Sequence, residues 1–316
     1  MEADQSVLKR PGTERKKANM WNGIRRNWVL YLFLVPTLAY LLVFNYAPLS
    51  GIQIAFKKFV ASKGIWGSQW VGMKNFEKFF SSYMFRDVLA NTVILSIYQL
   101  LASFAFPIVL AILLNYSISG RLSKVTQMVT YAPHFISTVV MVGMLNVFLS
   151  DTGMINQLLA KVGLGTTHFL SESGAFRHIY VWSHIWQRTG YNSVIYIAAL
   201  AGVSPELHEA AIVDGANKLE RIWNIDIPSI LPTAIILLIM DTGNILSLGF
   251  EKVYLMQNDL NLGVSEIIST YVYKVGLINA KYSYSTAIGL FNNVVNLIIL
   301  LSVNKLANKL SGTSLL

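Results

Sequence analysis

Two residues of fixed charge type stand inside long apolar runs, the cation Arg188 within 179–200 and the acid Asp241 within 230–250. A charged side chain is costly in hydrocarbon, so such groups face a bundle interior or a water-filled path. Around them lie groups suited to a sugar. Trp182, Trp186 and Tyr191 offer ring faces to the apolar side of a pyranose, and Asn192, Asn244, Asn292 and Asn293 can hydrogen-bond hydroxyls. Arg188 would then meet an acidic or hydroxyl-rich ligand. An equally economical reading pairs Arg188 with Asp241 across two helices and leaves the aromatics as interface anchors and the asparagines as interhelical glue.

Catalytic and metal chemistry find little footing. His134, His184, Glu251 and Glu266 show no ligand spacing such as H-x-x-x-H, and the chain has no cysteine, so thiolate metal sites and disulfides are excluded. Neither G-x-S-x-G nor the phosphate loop G-x-x-x-x-G-K-[ST] occurs, so ATP has no customary cradle in this chain. The segment 201–232 is different. It is polar, lies between two apolar runs and predicts two short helices. Ser204 caps the first, Pro205 occupies its first position, and Glu206 meets the positive dipole end. Gly215 closes that helix in the left-handed conformation, a second begins near Asn217, and Pro228 and Pro232 limit it. Glu209, Ala210 and Ala211 set one acid beside two small side chains, which lets another protein approach closely. His208, beside them, is expected to be solvated or to lie at that interface.

The elements that must position these residues are membrane helices. Of 316 residues, 54% are hydrophobic and 13% charged, whereas soluble domains carry about 25% charged residues. Apolar runs at 28–46, 88–116, 125–150, 179–200, 230–250 and 284–303 predict about six crossings, all helical because unpaired amides are untenable in lipid. The fourth is the weakest, since it holds His184, Gln187 and Arg188. Pro36, Pro107 and Pro133 mark expected kinks. The formal charge of +9 would suit nucleic acid, but Lys9, Arg10, Arg15, Lys16, Lys17, Arg25 and Arg26 crowd just ahead of the first run. There they hold the N-terminus in the cytoplasm, and an even number of crossings puts both termini on that side. Lys57, Lys58, Lys63, Lys74, Lys78 and Arg86 crowd an outer segment, so the charge rule is met only in part. Val264, Ile267, Ile268, Tyr271, Val272 and Val275 share a helical face, which predicts a short amphipathic helix, either on the outer membrane surface or packed on the bundle. The organisation expected is a basic segment over 1–27, a membrane domain over 28–308 that contains the 201–232 loop, and a tail over 309–316.

Glu209-Ala210-Ala211, followed by Gly215, Ile225 and the Ile227-Pro228 pair, resembles the EAA motif of permease subunits in binding-protein-dependent ABC importers. Ile227 stands where that motif has Leu, a swap that keeps size and apolarity. Asp214-Gly215-Ala216 is similar to the carbohydrate-uptake, maltose-type branch. Tyr46-Ala47-Pro48, Ile54-Ala55-Phe56-Lys57, Trp70-Val71-Gly72, Asn75-Phe76 and the stretch 269–291 are similar to the importers of oligosaccharides cut from polysaccharides. The resemblance implies an all-α, polytopic type I permease in the bacterial cytoplasmic membrane, surrounded by lipid. It implies as partners a second, different permease, two ATPase subunits that bind ATP and Mg, and an external solute-binding protein. The 201–232 loop, through Glu209, Ala210, Ala211, Asp214, Gly215 and Ala216, would couple to the ATPases. The chain itself would be no enzyme and hold no cofactor. Two rival readings use Asp241 and Arg188, one as a proton-coupled carrier and one as a membrane enzyme.

Overall fold

The structure, a computed structural model, describes residues 26–117, 119–312 and 314. The basic segment expected over 1–27 falls almost wholly outside the described residues, and the tail over 309–316 does so in part. The chain forms two compact units, one ending at Gln53 and one starting at Ile54. In the first, α1 (Trp28–Leu41) runs through Pro36 and continues as a π turn, Leu42–Tyr46. Its composition is apolar on every side, the pattern of a helix solvated by lipid or by another apolar surface.

The second unit opens with a two-stranded ribbon, β1 (Lys57–Lys58) against β2 (Gln69–Trp70). The helices that build the site follow. The longest, α2 (Tyr83–Asn115), spans 33 residues, about 50 Å at 1.5 Å per residue. Ser82 caps it by accepting from the Met84 amide, and Pro107 lies inside it, which leaves the Ser103 carbonyl without its usual helical donor. Next come α3 (Gly120–Tyr131) and α4 (Thr138–Phe148), joined by a 3-10 turn over Ala132–Phe135 and bent by 100°. The single third span expected over 125–150 is therefore a broken pair. Pro133 and the Ser137 cap, which accepts from the Val140 amide, separate the two halves.

The weak fourth run is a full helix, α5 (Ser173–Ala201). It packs along α2 in the same direction, since Asn91 meets Arg177 at one end and Ala111 packs with Tyr196 and Leu200 at the other. Its polar residues have partners from the bundle. Gln187 Nε2 donates to the Ile136 carbonyl at 2.7 Å, which satisfies an acceptor exposed by the α3–α4 break. At Gly190 the α3 backbone comes so close that a Cβ would run into the Thr130 carbonyl.

The elbow helix α6 (Pro205–Val213) is followed by one turn, Lys218–Arg221, that passes through a π segment into α7 (Ile227–Thr242). Pro228 and Pro232 do not separate these pieces: the chain stays helical from Lys218 to Thr242, with Pro228 where the π segment passes into α7 and Pro232 inside α7. The fifth span ends at Thr242 rather than reaching 250. From Gly243 to Gly249 the chain is irregular, then forms α8 (Phe250–Met256). Asn296 stabilises this opening, accepting from the Leu246 amide and donating to Ser247 Oγ, both at 3.0 Å.

The expected amphipathic helix is divided. A turn at Leu262–Ser265 precedes α9 (Ile268–Tyr273), and Ile267, Ile268 and Val275 are buried against the bundle. The face derived from periodicity is therefore a packing face. Glu266 at the break is held by Lys274 at 2.6 Å and by Thr270 at 2.7 Å. The last helix, α10 (Tyr282–Ser311), packs against α7 and the segment that follows it. Among the described residues, four helices are long and apolar enough to cross a membrane, or five if the bent pair is one span.

Candidate functional site

Two places in the second unit carry the residues singled out above. The first is the elbow. Ser204 Oγ accepts from the Glu206 amide, and Pro205 is the first helical residue, as the local sequence dictates. At the other end Gly215 has φ +86, the Ala216 amide donates to Ala211 at 2.8 Å, and the Gly215 amide donates to Ile212 at 3.1 Å. That is a complete glycine-terminated cap. Asn217 and Glu220 then exchange two hydrogen bonds, at 2.7 and 3.0 Å, and start the next turn. Both ends of α6 are fixed by local bonds, and its outer face is left free. Glu209 and Ala210 are exposed, and so are Leu207, Val213 and Trp223, with Val213 86% accessible.

Beneath the elbow lies a cluster that sequence reasoning missed. Asp226 is fully buried and accepts from Tyr116 Oη at 2.7 Å. His208 Nε2 lies 3.4 Å from the other carboxylate oxygen, so this histidine turns inward to the fold rather than out to solvent. The Arg221 guanidinium stands 5.7 Å from the Tyr116 ring centroid.

The second place is a cavity of about 280 Å³ between α2, α5, α7 and the irregular segment after α7. Asn192, Asp241 and Asn244 gather there, together with His184 and Ser247. From α2 come Ser96, Gln99 and Ser103, and among the described residues Ser96 Oγ, Gln99 Oε1 and Ser103 Oγ have no hydrogen-bond partner. These three escaped notice in an uncharged span, yet their spacing of i, i+3 and i+7 is one helical face. The α2 side of the lining therefore holds three unpartnered oxygens that suit hydroxyls.

The remaining candidates lie elsewhere. Trp182 and Trp186 are on roughly the opposite side of α5 from His184, where they line an apolar groove with Met141, Met144 and Phe148. Arg188 does not pair with Asp241. Its Nη1 lies 3.2 Å from His134 Nδ1, and the His134 ring stacks on Tyr191 at 3.7 Å between centroids. Asn292 is buried outside the cavity lining, and Asn293 is exposed. Among the described residues no three His, Asp or Glu side chains converge as for a metal.

Residues 107–312 match the family described as the inner membrane component of binding-protein-dependent transport systems. The chain belongs to that family. Its members are transport subunits and not enzymes, the ATPase being carried by separate subunits, so the enzyme reading of Asp241 and Arg188 falls away. Family membership also makes it a component of the inner membrane. The chain is 42% identical to Protein LplB of Bacillus subtilis (strain 168), over 94% of each chain. It is 41% identical to the polygalacturonan/rhamnogalacturonan transport system permease protein YteP of the same organism, over 94% of this chain and 92% of that one. A solved bacterial ABC transporter involved in import of the acidic polysaccharide alginate superposes with a TM-score of 0.87 at 38% identity, covering 92% of this chain and 99% of its counterpart. A second structure of an alginate transporter, in complex with a periplasmic protein bound to alginate pentasaccharide, gives the same score over 94% and 99%. The elbow lies within the family match, as do α5, α7 and α10.

Proposed function

We propose that this chain is the translocating subunit of an ATP-driven importer for oligosaccharides cut from an acidic polysaccharide. The observation that carries this reading is the cavity, where Ser96 Oγ, Gln99 Oε1 and Ser103 Oγ, which have no hydrogen-bond partner among the described residues, share a lining with Asn192, Asp241 and Asn244. Hydroxyl-rich ligands match such a lining, because each unpaired buried donor or acceptor gains a partner when the sugar enters. The substrate class draws support from relatives named for polygalacturonan, rhamnogalacturonan and alginate.

In this reading residues 28–308 cross the membrane about six times, with α5 and the bent pair each counted as a span and both termini in the cytoplasm. A second, different permease completes the path. Two ATPase subunits, holding ATP and Mg, grip Glu209, Ala210 and Ala211, while Asp214, Gly215 and Ala216 end the gripped helix. An external binding protein delivers the sugar, as the complexed alginate transporter suggests. ATP-driven closure shifts the bundle between outward-open and inward-open populations.

The test is reconstituted uptake with a panel of neutral and acidic oligosaccharides. Asn192→Ala combined with Asn244→Ala should lower uptake about tenfold, with assembly unchanged. Wild-type uptake in that variant would remove the cavity from the path. Uptake by this chain alone, driven by a proton gradient, would restore the carrier reading.

A further inference from the structure

Asp226 joins the elbow to the bundle. Its carboxylate has no exposure to water, and each oxygen faces a different element. One accepts from Tyr116 Oη at 2.7 Å, and Tyr116 is the residue that closes α2. The other lies 3.4 Å from His208 Nε2, one residue before Glu209 on α6. Asp226 itself ends the π segment and leads directly into α7. Three elements thus meet at one side chain.

Cohesion alone does not account for this arrangement. A buried carboxylate is expensive to desolvate, and an apolar residue of similar size often holds packed elements together at least as well. What a carboxylate adds is direction, because the Tyr116 bond fixes one oxygen and leaves the other, which has no hydrogen bond among the described residues, facing His208 within ion-pair distance. The element at its far side is also the one that matters for transport. α2 is continuous from Tyr116 back to Ser103, Gln99 and Ser96, so a displacement at its end reaches the cavity about 20 Å away, with Pro107 as the point of give.

We infer that Asp226 is a positioning residue of the transport cycle, a strut through which movement of α6 is passed to α2. This rests on the reading of the elbow as the ATPase docking site. Displacement of α6 carries His208, His208 moves the Asp226 carboxylate, and the carboxylate moves Tyr116 and the end of α2.

The experiment uses the full importer in liposomes, with its binding protein and ATPase subunits, and reads sugar imported per ATP hydrolysed. Tyr116→Phe and His208→Leu each remove one arm of the strut. Each is expected to lower that ratio about fivefold while all subunits still copurify. His208→Gln, whose amide can donate to Asp226, should retain most of the wild-type ratio. The double variant should be no worse than the poorer single one, because the arms act in series. A wild-type ratio in both single variants, or losses that multiply in the double variant, would overturn the strut. Since the chain has no cysteine, Val213→Cys offers a unique cross-linking handle on the elbow. A cross-link to the ATPase together with an unchanged ratio rejects the strut and keeps the elbow reading. Absence of any cross-link in the assembled complex rejects both.

Discussion

At Gly215 a single backbone angle decides how the elbow ends. With φ at +86, any side chain with a Cβ is strained there, and proline, fixed near −65°, cannot adopt the angle and loses the bond to the Ile212 carbonyl. Gly215→Ala should cost about 1 kcal/mol locally. Gly215→Pro should abolish uptake while membrane insertion stays normal, and full uptake in that variant would count against the elbow as the coupling element. Ser204, Pro205, Gly215 and the Asn217–Glu220 box are legible in the sequence because each acts within a few residues of itself. Asp226 is not. Its partners are 110 and 18 positions away in the chain, and nothing in the local pattern IWNIDIP distinguishes a buried hub from a solvated acid. The same limit governs the intramembrane residues, since Arg188 found His134 rather than the opposite charge on α7.

Helices are legible where their apolar runs are long, and their ends are not. The fifth run predicts helix as far as 250, yet Asn296 on α10 competes for the backbone and the helix opens after Thr242. Hydropathy cannot register that, because Gly243, Ile245, Leu246 and Leu248 suit a span in either form. Pro133 does announce the α3–α4 break, although proline alone does not fix the outcome, since Pro36 and Pro107 lie in uninterrupted helices. The α3–α5 crossing yields its own prediction. Gly190→Ala must push the Thr130 backbone away, so the purified chain should lose about 1–3 kcal/mol of stability, read as a lower midpoint of thermal unfolding in detergent. Gln187→Leu should cost a similar amount, about 1–3 kcal/mol, because it leaves the Ile136 carbonyl unpaired away from water. An unchanged midpoint in both variants would mean that α3 and α5 do not meet as described.

For the molecule as a whole, the elbow and the cavity are different kinds of surface. Residues of α2, α5 and α7 turn polar groups inward around the cavity, whereas α6 turns apolar ones outward. Sidedness follows from the proposed topology. A cysteine at Val213 should react with a membrane-impermeant thiol reagent only in inside-out vesicles, and bound ATPase should slow that reaction. Labelling in right-side-out cells would invert the proposed orientation. Leu207, Val213 and Trp223 also have a consequence for biogenesis. Bare apolar side chains at a water-facing tip are what quality-control proteases and chaperones recognise. A cell that makes this subunit without its motor should therefore degrade it sooner, and the half-life of the lone chain should lengthen when the motor is co-expressed.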